Sequence, residues 1–347
     1  MLLRKGTLIM ANFVRVIQPG LSTTVQDLGR PSHQIEGFPE SGAMDKFSYK
    51  LANLLVNNHR NSASLEFVST GPTLRFGCDS FIALTGGKVN ATLNGQPILQ
   101  NEVVEVVAGS ILKVGPVTEG NYGYLAFSNG GVITQPVLDS RSTTLRTQMG
   151  GLDGRALETG DTIPIRDSVV MPSLTSRKIY IKHELITEIH FVKGLQWDLF
   201  SQKALQQFQS ETYQISEQMD RMGYRLNGQK LDVPEKSLLS EGTVFGNIQI
   251  TRDGSPIALL ADRQTTGGYP VIGTIIRADL NRFVQMKQGQ QFKFVMTDMD
   301  TAVEKLVQQQ KIINDTFEKW YAGRYVEPIG PIRRDAIKIA RLIRANK

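Results

Sequence analysis

The densest run of chemically capable side chains in this 347-residue sequence is LLADRQTTGGYPVIG, residues 259–273. Asp262, Arg263, Gln264, Thr265 and Thr266 supply a carboxylate, a guanidinium, an amide and two hydroxyls in succession. Gly267 and Gly268 follow, and paired glycines let a backbone approach a ligand closely or take positive φ. The planar fork of Arg263 suits bidentate contact with a carboxylate. The same residues could instead make an Asp–Arg pair and a Gly-Gly turn that hold a barrel corner. Residue types alone leave both readings open.

A second run, GLSTTVQDLGRPSHQIEGFPESGAMD (20–45), repeats the chemical set in Thr23, Thr24, Gln26, Asp27 and Arg30. Both runs read as loops leaving short strands, where a rigid scaffold usually carries its chemistry. Hydroxyls and Asp–Arg pairs in turns also satisfy backbone groups. Asp45 and Asp220, followed by Lys46 and Arg221, read as helix or turn starts in which an acid accepts from exposed N–H groups.

Other chemistries lack their residues. The histidines His33, His59, His183 and His190 form no HxxH, HExxH or Cys/His cluster, so no zinc site is expected. There is no GxSxG elbow and no GxxxxGK[ST] loop; Thr85-Gly86-Gly87-Lys88 is too short. An ATP site must therefore use other elements or lie on another subunit. No Ala-Met-Lys-Met setting occurs, so the chain is expected to carry no covalently attached biotin.

The elements that must position these residues read as mainly β. FVRVI (13–17), FIAL (81–84), VVEVV (103–107), ILKV (111–114), YGYLAF (122–127), KIYI (178–181), IHFV (189–192), NIQI (247–250), IALL (257–260) and FKFV (292–295) are β-branched or aromatic runs parted by turn residues. Without βαβ alternation, a barrel or a pair of barrels fits best. Helices are predicted over 45–57, over 198–209 with Asp198 near the N-cap, and from about 299 to 321 behind Asp298 or Asp300. PIGP (328–331) breaks the chain before a short basic helix.

An internal repeat holds one offset of 175. Met44-Asp45-Lys46 meets Met219-Asp220-Arg221, Tyr49 meets Tyr224, Glu66 meets Glu241, Gly71 meets Gly246, and Ile82-Ala83-Leu84 meets Ile257-Ala258-Leu259. The expected organisation is a first β lobe at 12–168, a second at 174–297 and a helical segment at 298–347, with the boundary near Pro172 and Ser173.

Bulk properties set wide limits. Lys+Arg is 39 against Asp+Glu 33, a formal charge of +6 without an aromatic-interleaved basic patch, so no nucleic-acid partner is expected. Cys78 is the single cysteine; it cannot close an internal disulfide and reads as a small hydrophobe entering the strand at Phe81–Leu84. The N-terminal MLLRKGTLIM lacks the form of a signal peptide, and no apolar run of about 18 residues occurs, so the expectation is a cytoplasmic protein with no membrane span.

The segments PGLSTTVQDLGR, SGAMD, LDSRSTTLR, GGLDGR, DRMGYRLNG and LLADRQTTGGYP together resemble the KipA/PxpC family, also called allophanate hydrolase subunit 2-like or biotin-dependent carboxyltransferase-like. The resemblance covers roughly residues 13–300. Departures are Pro31-Ser32 after the first Gly-Arg, Gly86-Gly87, and Met219 before Asp220. The resemblance implies two tandem cyclophilin-like β-barrel lobes, in agreement with the repeat. It implies a KipI/PxpB-like partner and a third, lactam-hydrolase subunit, together forming an ATP-dependent 5-oxoprolinase that converts 5-oxo-L-proline to L-glutamate, with ATP and Mg²⁺ bound at the complex. Two alternatives share the partner: biotin-dependent carboxyl transfer to urea or a small amide, and a non-catalytic regulator that binds a KipI-like kinase inhibitor.

On the oxoprolinase reading, Arg30 and Arg263 are the candidate anion-binding groups. Asp27, Asp45 and Asp262 are candidates for base or metal work. Thr23, Thr24, Gln264, Thr265 and Thr266 would orient the substrate, with Gly267 and Gly268 giving backbone access.

Overall fold

The computed structural model describes residues 12–167, 174–181, 186–235 and 238–323. The first lobe contains β1 (Phe13–Gln18), β2 (Ser22–Gln26), β3 (Ser64–Val68), β4 (Thr73–Phe76), β5 (Ser80–Leu93), β6 (Gln96–Ile98), β7 (Val103–Val106), β8 (Ile111–Phe127) and β9 (Thr162–Pro164), with helix α1 (Lys46–Leu55) between β2 and β3. These nine strands form one sheet in the order β2-β3-β8-β4-β1-β9, with β5 running along β8 and carrying β6 and β7. The second lobe begins with β10 (Glu188–Lys193), α2 (Gln202–Ser210), β11 (Tyr213–Met219) and β12 (Gly223–Asn227). It continues through β13 (Glu241–Gly242), β14 (Asn247–Ile250), β15 (Pro256–Leu259), β16 (Thr266–Gly267), β17 (Val271–Ile275), α3 (Arg277–Phe283) and β18 (Gln291–Met296). Seven of its strands close a barrel, β10-β17-β14-β15-β12-β11-β18, while β13 and β16 pair outside it. Helix α4 (Met299–Gly323) follows. The mainly β, two-lobed fold with a helical C-terminal segment is thus as the sequence indicates.

Alternation explains which strand faces point where. In β1, Val14 and Val16 are buried between exposed neighbours and stand opposite Phe76 and Leu74 of β4. Both faces are buried in the first part of β5, residues 80–85, and the last part of β8, residues 121–127. Ile82, Leu84, Leu125 and Phe127 join the first lobe's own core. Phe81, Ala83, Tyr122, Tyr124 and Ala126 face the other way, into a core shared by α1 and the second lobe's barrel. One hydrophobic body therefore runs across both lobes.

Several details differ from the sequence reading. ILKV and YGYLAF are two ends of one strand, β8, whose first part pairs β4 and whose last part pairs β3; Gly115 and Pro116 lie where its neighbour changes. KIYI is not a strand: Lys178 makes one bridge to Glu102, and Tyr180 stands exposed. Helix α2 starts later than expected. Its cap is Ser201, whose Oγ accepts from Ala204 N at 3.1 Å, and Asp198 sits in the preceding 3₁₀ turn. Helix α4 opens as expected on Asp298, which accepts from Thr301 N at 2.7 Å. Pro172, Ser173, His183, PIGP and the basic C-terminal helix lie outside the described residues.

The offset-175 pairs do not all fall on like elements. Ile82 and Ile257 both lie in strands, but Asp45 caps α1 whereas Asp220 sits in the turn from β11 to β12, and Tyr49 is helical where Tyr224 is extended. The two acids share a local role instead. Asp45 Oδ1 accepts from Phe47 N and Ser48 N, and Asp220 Oδ1 accepts from Met222 N and Gly223 N. An acid that satisfies the N–H groups two and three residues on serves a helix start and a tight turn equally.

The barrel of the second lobe is filled by aromatic rings. Phe208 from α2 stacks on Phe294 at 4.9 Å between centroids and meets Phe191 edge-on at 5.1 Å. It is fully buried, along with Ala204 on the same helix face. Phe208→Ala is expected to destabilise the protein by about 3–5 kcal/mol and Phe208→Leu by clearly less, read as shifts in urea unfolding midpoints; equal, small losses for both would show that α2 does not plug the barrel.

Candidate functional site

The two polar runs meet between the lobes. Ser41 N donates to Ala261 O at 3.0 Å, joining the end of the first run to the start of the second. Gln34 Nε2 donates to the carbonyl oxygens of Thr243 (2.6 Å) and Thr265 (3.1 Å). Within the first run, Arg30 N donates to Glu40 O at 2.7 Å and Ala43 N to Asp27 O at 2.9 Å. Gly29 and Gly42 permit this crossing. Both have φ near +90°, and a Cβ on Gly29 would lie 2.4 Å from Glu40 O.

The centre of the contact is Arg221, at the turn between β11 and β12. Its Nε donates to Asp262 Oδ2 at 2.8 Å, its Nη2 donates to Asp262 Oδ1 at 3.1 Å and to Gly42 O at 2.7 Å, and its Nη1 pairs with Glu66. Glu66 Oε2 accepts from Tyr124 OH at 2.7 Å and from Met44 N at 2.8 Å, and Tyr124 OH accepts from Asp45 N at 2.7 Å. Burial acts against the Arg221 cation, but Asp262 and Glu66 outweigh it and hold its pKa above the ordinary guanidinium range. Burial pushes the Glu66 carboxyl up, with Arg221 opposing.

Most of the candidate residues take up places in this framework. Asp27 accepts from Ser140 Oγ and Ser142 Oγ at 2.6 Å each and from Arg141 N at 2.6 Å, so it folds the 140–142 loop onto β2. Arg30 is buried and donates to Thr144 Oγ1 (2.7 Å) and Ser142 O (2.5 Å); burial lowers its pKa. Thr23 Oγ1 donates to Pro19 O, and Thr24 Oγ1 accepts from Gln26 Nε2. Asp45 is buried, and burial raises its pKa; beyond its cap role its Oδ2 accepts from Gln285 Nε2 at 2.9 Å. Arg263 is 3% exposed and spans Glu40 Oε2 at 3.0 Å and Leu260 O at 3.3 Å.

The end of the second run is different. Gln264 and Thr265 are half-buried and hold the neighbouring loop through their carbonyls, which Thr243 contacts. Thr266 is exposed, and with Gly267 it forms β16 against β13. Gly267 and Gly268 are not among the residues at positive φ. At Gly267 the constraint is space, since a Cβ would meet Gln249 Nε2 at 2.5 Å. Gly268 has no such restriction.

Sequence reading missed the central groups. Arg221 and Glu66 entered only as members of the repeat, and Glu40 and Tyr124 not at all. The available signal was Glu66 within SLEFV: a charge in an apolar strand must find a partner if buried. Nothing local marks Arg221 as that partner, 155 positions away.

Glu40 links the arms of this network, 3.1 Å from Lys46 and 3.0 Å from Arg263. Burial raises its pKa, but the two cations outweigh that and leave it below the usual glutamate value. A carboxyl whose folded pKa is depressed contributes its stability above its unfolded pKa and loses it as pH falls through the folded one. Stability should therefore decline below about pH 4.5, and Glu40→Gln should flatten that decline in urea titrations across the acid range while lowering stability at neutral pH. Arg263→Lys keeps the charge but cannot reach both acceptors. We expect a loss of about 1–3 kcal/mol with unchanged turnover per folded molecule; an intact unfolding midpoint with lost turnover would instead make Arg263 a ligand-binding group.

The family described as carboxyltransferase domain, subdomain A and B, matches residues 36–296. The C subunit of the Escherichia coli K12 5-oxoprolinase is 36% identical over 304 residues, covering 86% of this chain and 96% of that protein. The C subunit of the Haemophilus influenzae 5-oxoprolinase is 34% identical over 298 residues, covering 85% and 94%. Among solved structures, the urea amidolyase of K. lactis superposes with a TM-score of 0.81 at 29% identity over 90% of this chain, which spans only 20% of that larger protein. With the family match covering most of the described β structure, the chain belongs to the carboxyltransferase-domain family of subdomains A and B, the KipA/PxpC family that its loop segments resemble.

Proposed function

We propose that this protein is the C subunit of an ATP-dependent 5-oxoprolinase. The observation that carries the reading is end-to-end similarity to relatives named as the C subunit of 5-oxoprolinase, 36% identical over 96% of the first one's length. The substrate, a cyclic amide bearing a carboxylate, resists opening because of amide resonance. Transfer of the ATP γ-phosphoryl group to the lactam oxygen makes the ring carbon electrophilic. Water then adds, the C–N bond breaks with nitrogen taking a proton to leave an acyl phosphate, and a second water displaces phosphate to give the carboxylate. The described residues of this chain contain no group of three or more His, Cys, Asp or Glu able to hold a metal. On this reading ATP with Mg²⁺ binds at the complex. No described helix is long and apolar enough to cross a membrane.

The reading needs a partner surface, and one region fits. Leu195, Leu239 and Tyr269 line a shallow cleft beside Gly267. Leu239 is 88% exposed and Leu195 79%. Exposed Val244 follows Thr243, and Ile35, 94% exposed, follows the Gln34 that binds Thr243 and Thr265. Large exposed aliphatic groups clustered on one face mark association sites. The proposed occupant is the KipI/PxpB-like subunit, with a lactam-hydrolase subunit joining the assembly.

Biotin-dependent carboxyl transfer to urea or a small amide is the second reading, favoured by the likeness to urea amidolyase. One set of assays separates the two. Co-expressed with its KipI/PxpB-like and lactam-hydrolase partners, the protein should hydrolyse ATP in response to 5-oxoproline and release glutamate; turnover with urea and a biotin carrier alone would overturn this. Ile35→Asp and Leu239→Asp should each weaken the complex at least tenfold in sedimentation, leaving this chain's melting temperature unchanged. If neither does, the partner lies on another face.

A further inference from the structure

One cavity carries three cations, two of which the ion-pair network leaves without a carboxylate. It lies between α1, α3 and α4 and presents Lys46, Lys50 and Arg277. Lys46 is tied to Glu40 at 3.1 Å, and its ammonium also lies 5.4 Å from the centre of the Phe245 ring. Among the described residues no ion pair joins Lys50 or Arg277 to a carboxylate. The charges bearing on Lys50 are Lys46, Arg60 and Arg277, all positive; burial first, and then these neighbours, lower its pKa. Like charges gathered in a half-buried cavity repel one another and destabilise the empty fold.

The remaining walls are mixed. Phe245, Leu280 and Ile313 are apolar, while Asn281 and Gln309 are amides. The amides are held in place. Asn281 Oδ1 accepts from Phe47 N at 3.2 Å, Asn281 Nδ2 donates to Gln309 Oε1 at 3.0 Å, and Gln309 Nε2 donates to Ala278 O at 3.2 Å. The walls stand on helices of both lobes and on α4, so the cavity exists only when all three are assembled. Its volume is about 80 Å³, far below the roughly 300 Å³ or more of pockets that take drug-sized ligands.

We propose that this cavity binds a small organic anion by its carboxylate, Lys50 and Arg277 holding the charge and the apolar walls holding a short hydrocarbon body. The inference rests on the function proposed above in one respect: it takes 5-oxoproline as the representative anion. Arg277, on α3, offers a planar fork to the carboxylate, and Lys50, on α1, a point charge. A neutral amide on the same body would meet Asn281 and Gln309. The cations of the polar loops, Arg30 and Arg263, are engaged by protein groups, whereas Lys50 and Arg277 have no carboxylate partner among the described residues.

The test uses the full chain and calorimetric titration at low ionic strength with 5-oxoproline, with 2-pyrrolidinone as the same ring without its carboxylate, and with inorganic phosphate. The expected order is 5-oxoproline bound at least tenfold more tightly than 2-pyrrolidinone, and more tightly than phosphate. Lys50→Met and Arg277→Met should each weaken 5-oxoproline binding by about tenfold or more. Lys203→Met, which removes a charge from α2 outside the cavity, should not. Lys50→Met should also raise the melting temperature by a degree or more, since it relieves repulsion. Absence of 5-oxoproline binding, equal binding of 2-pyrrolidinone, tighter phosphate binding, or indifference to both cavity substitutions would each overturn the proposal. In the reconstituted complex, a normal KM for 5-oxoproline in the Lys50→Met/Arg277→Met double variant would remove this cavity while leaving the oxoprolinase reading intact. Charge-dependent binding to the chain beside a wild-type complex inert toward 5-oxoproline would keep the anion site and remove that reading.

Discussion

A guanidinium withdrawn from water between two β lobes has to be met by acceptors on every side, and Arg221 is met by Glu66, Asp262 and the Gly42 carbonyl. Glu66 belongs to the first lobe's sheet, Asp262 to the loop leaving β15, and Gly42 to the long run before α1. Removing any one acceptor leaves a buried charge partly unpaired, which costs more than breaking a hydrogen bond at the surface. The relative position of the lobes is therefore set by satisfaction of this cation as well as by the apolar surface around it. The shared hydrophobic core supplies the bulk attraction without direction; Arg221, Glu66, Tyr124 and Asp45 select one geometry within it.

The consequence for the polar loops is that their charges point inward. Arg30 binds the 142–144 backbone and hydroxyls, Asp27 gathers Ser140, Ser142 and Arg141, and Arg263 is closed off by Glu40 and Leu260. A loop rich in Asp, Arg, Thr and Gly can serve a ligand, or it can serve as the mortar between two sheets. In isolation the two uses demand the same residues, because both need short donors and acceptors that saturate backbone groups at close range.

That equivalence marks the limit of what was legible in the sequence. Most of the β runs, the positions of α1 and α4 and the two-lobed plan follow from local periodicity and from the family segments. What could not be read is longer-ranged. Strands such as β11, YQISEQM, and β12, GYRLN, carry too much polarity to stand out, and they form because the barrel closes around them. Asp45 and Asp220 look equivalent because each satisfies the N–H groups two and three residues on, a local function that says nothing about whether the chain then turns into a helix or a hairpin. The pairing of Glu66 with Arg221 depends on sheet register and lobe docking, neither of which leaves a trace at either residue.

The cationic cavity contrasts with the loops in how its charges are carried. Lys46, Lys50 and Arg277 stand on helices, and spacing four apart places Lys46 and Lys50 on one face of α1. Helical positions hold a side chain's root more rigidly than loop positions do, which suits a site that must keep its geometry whether or not a ligand is present. The same four-residue spacing sets two cations side by side, a pairing that weakens a helix unless something opposes it. Glu40 opposes it at Lys46 alone. Folding therefore brings together positive charge that the protein itself only partly balances, at a place where both lobes and α4 converge. A compact fold retains such an arrangement at a cost in stability, and an anion bound against Lys50 and Arg277 would offset that cost while coupling ligand binding to the docking of the lobes.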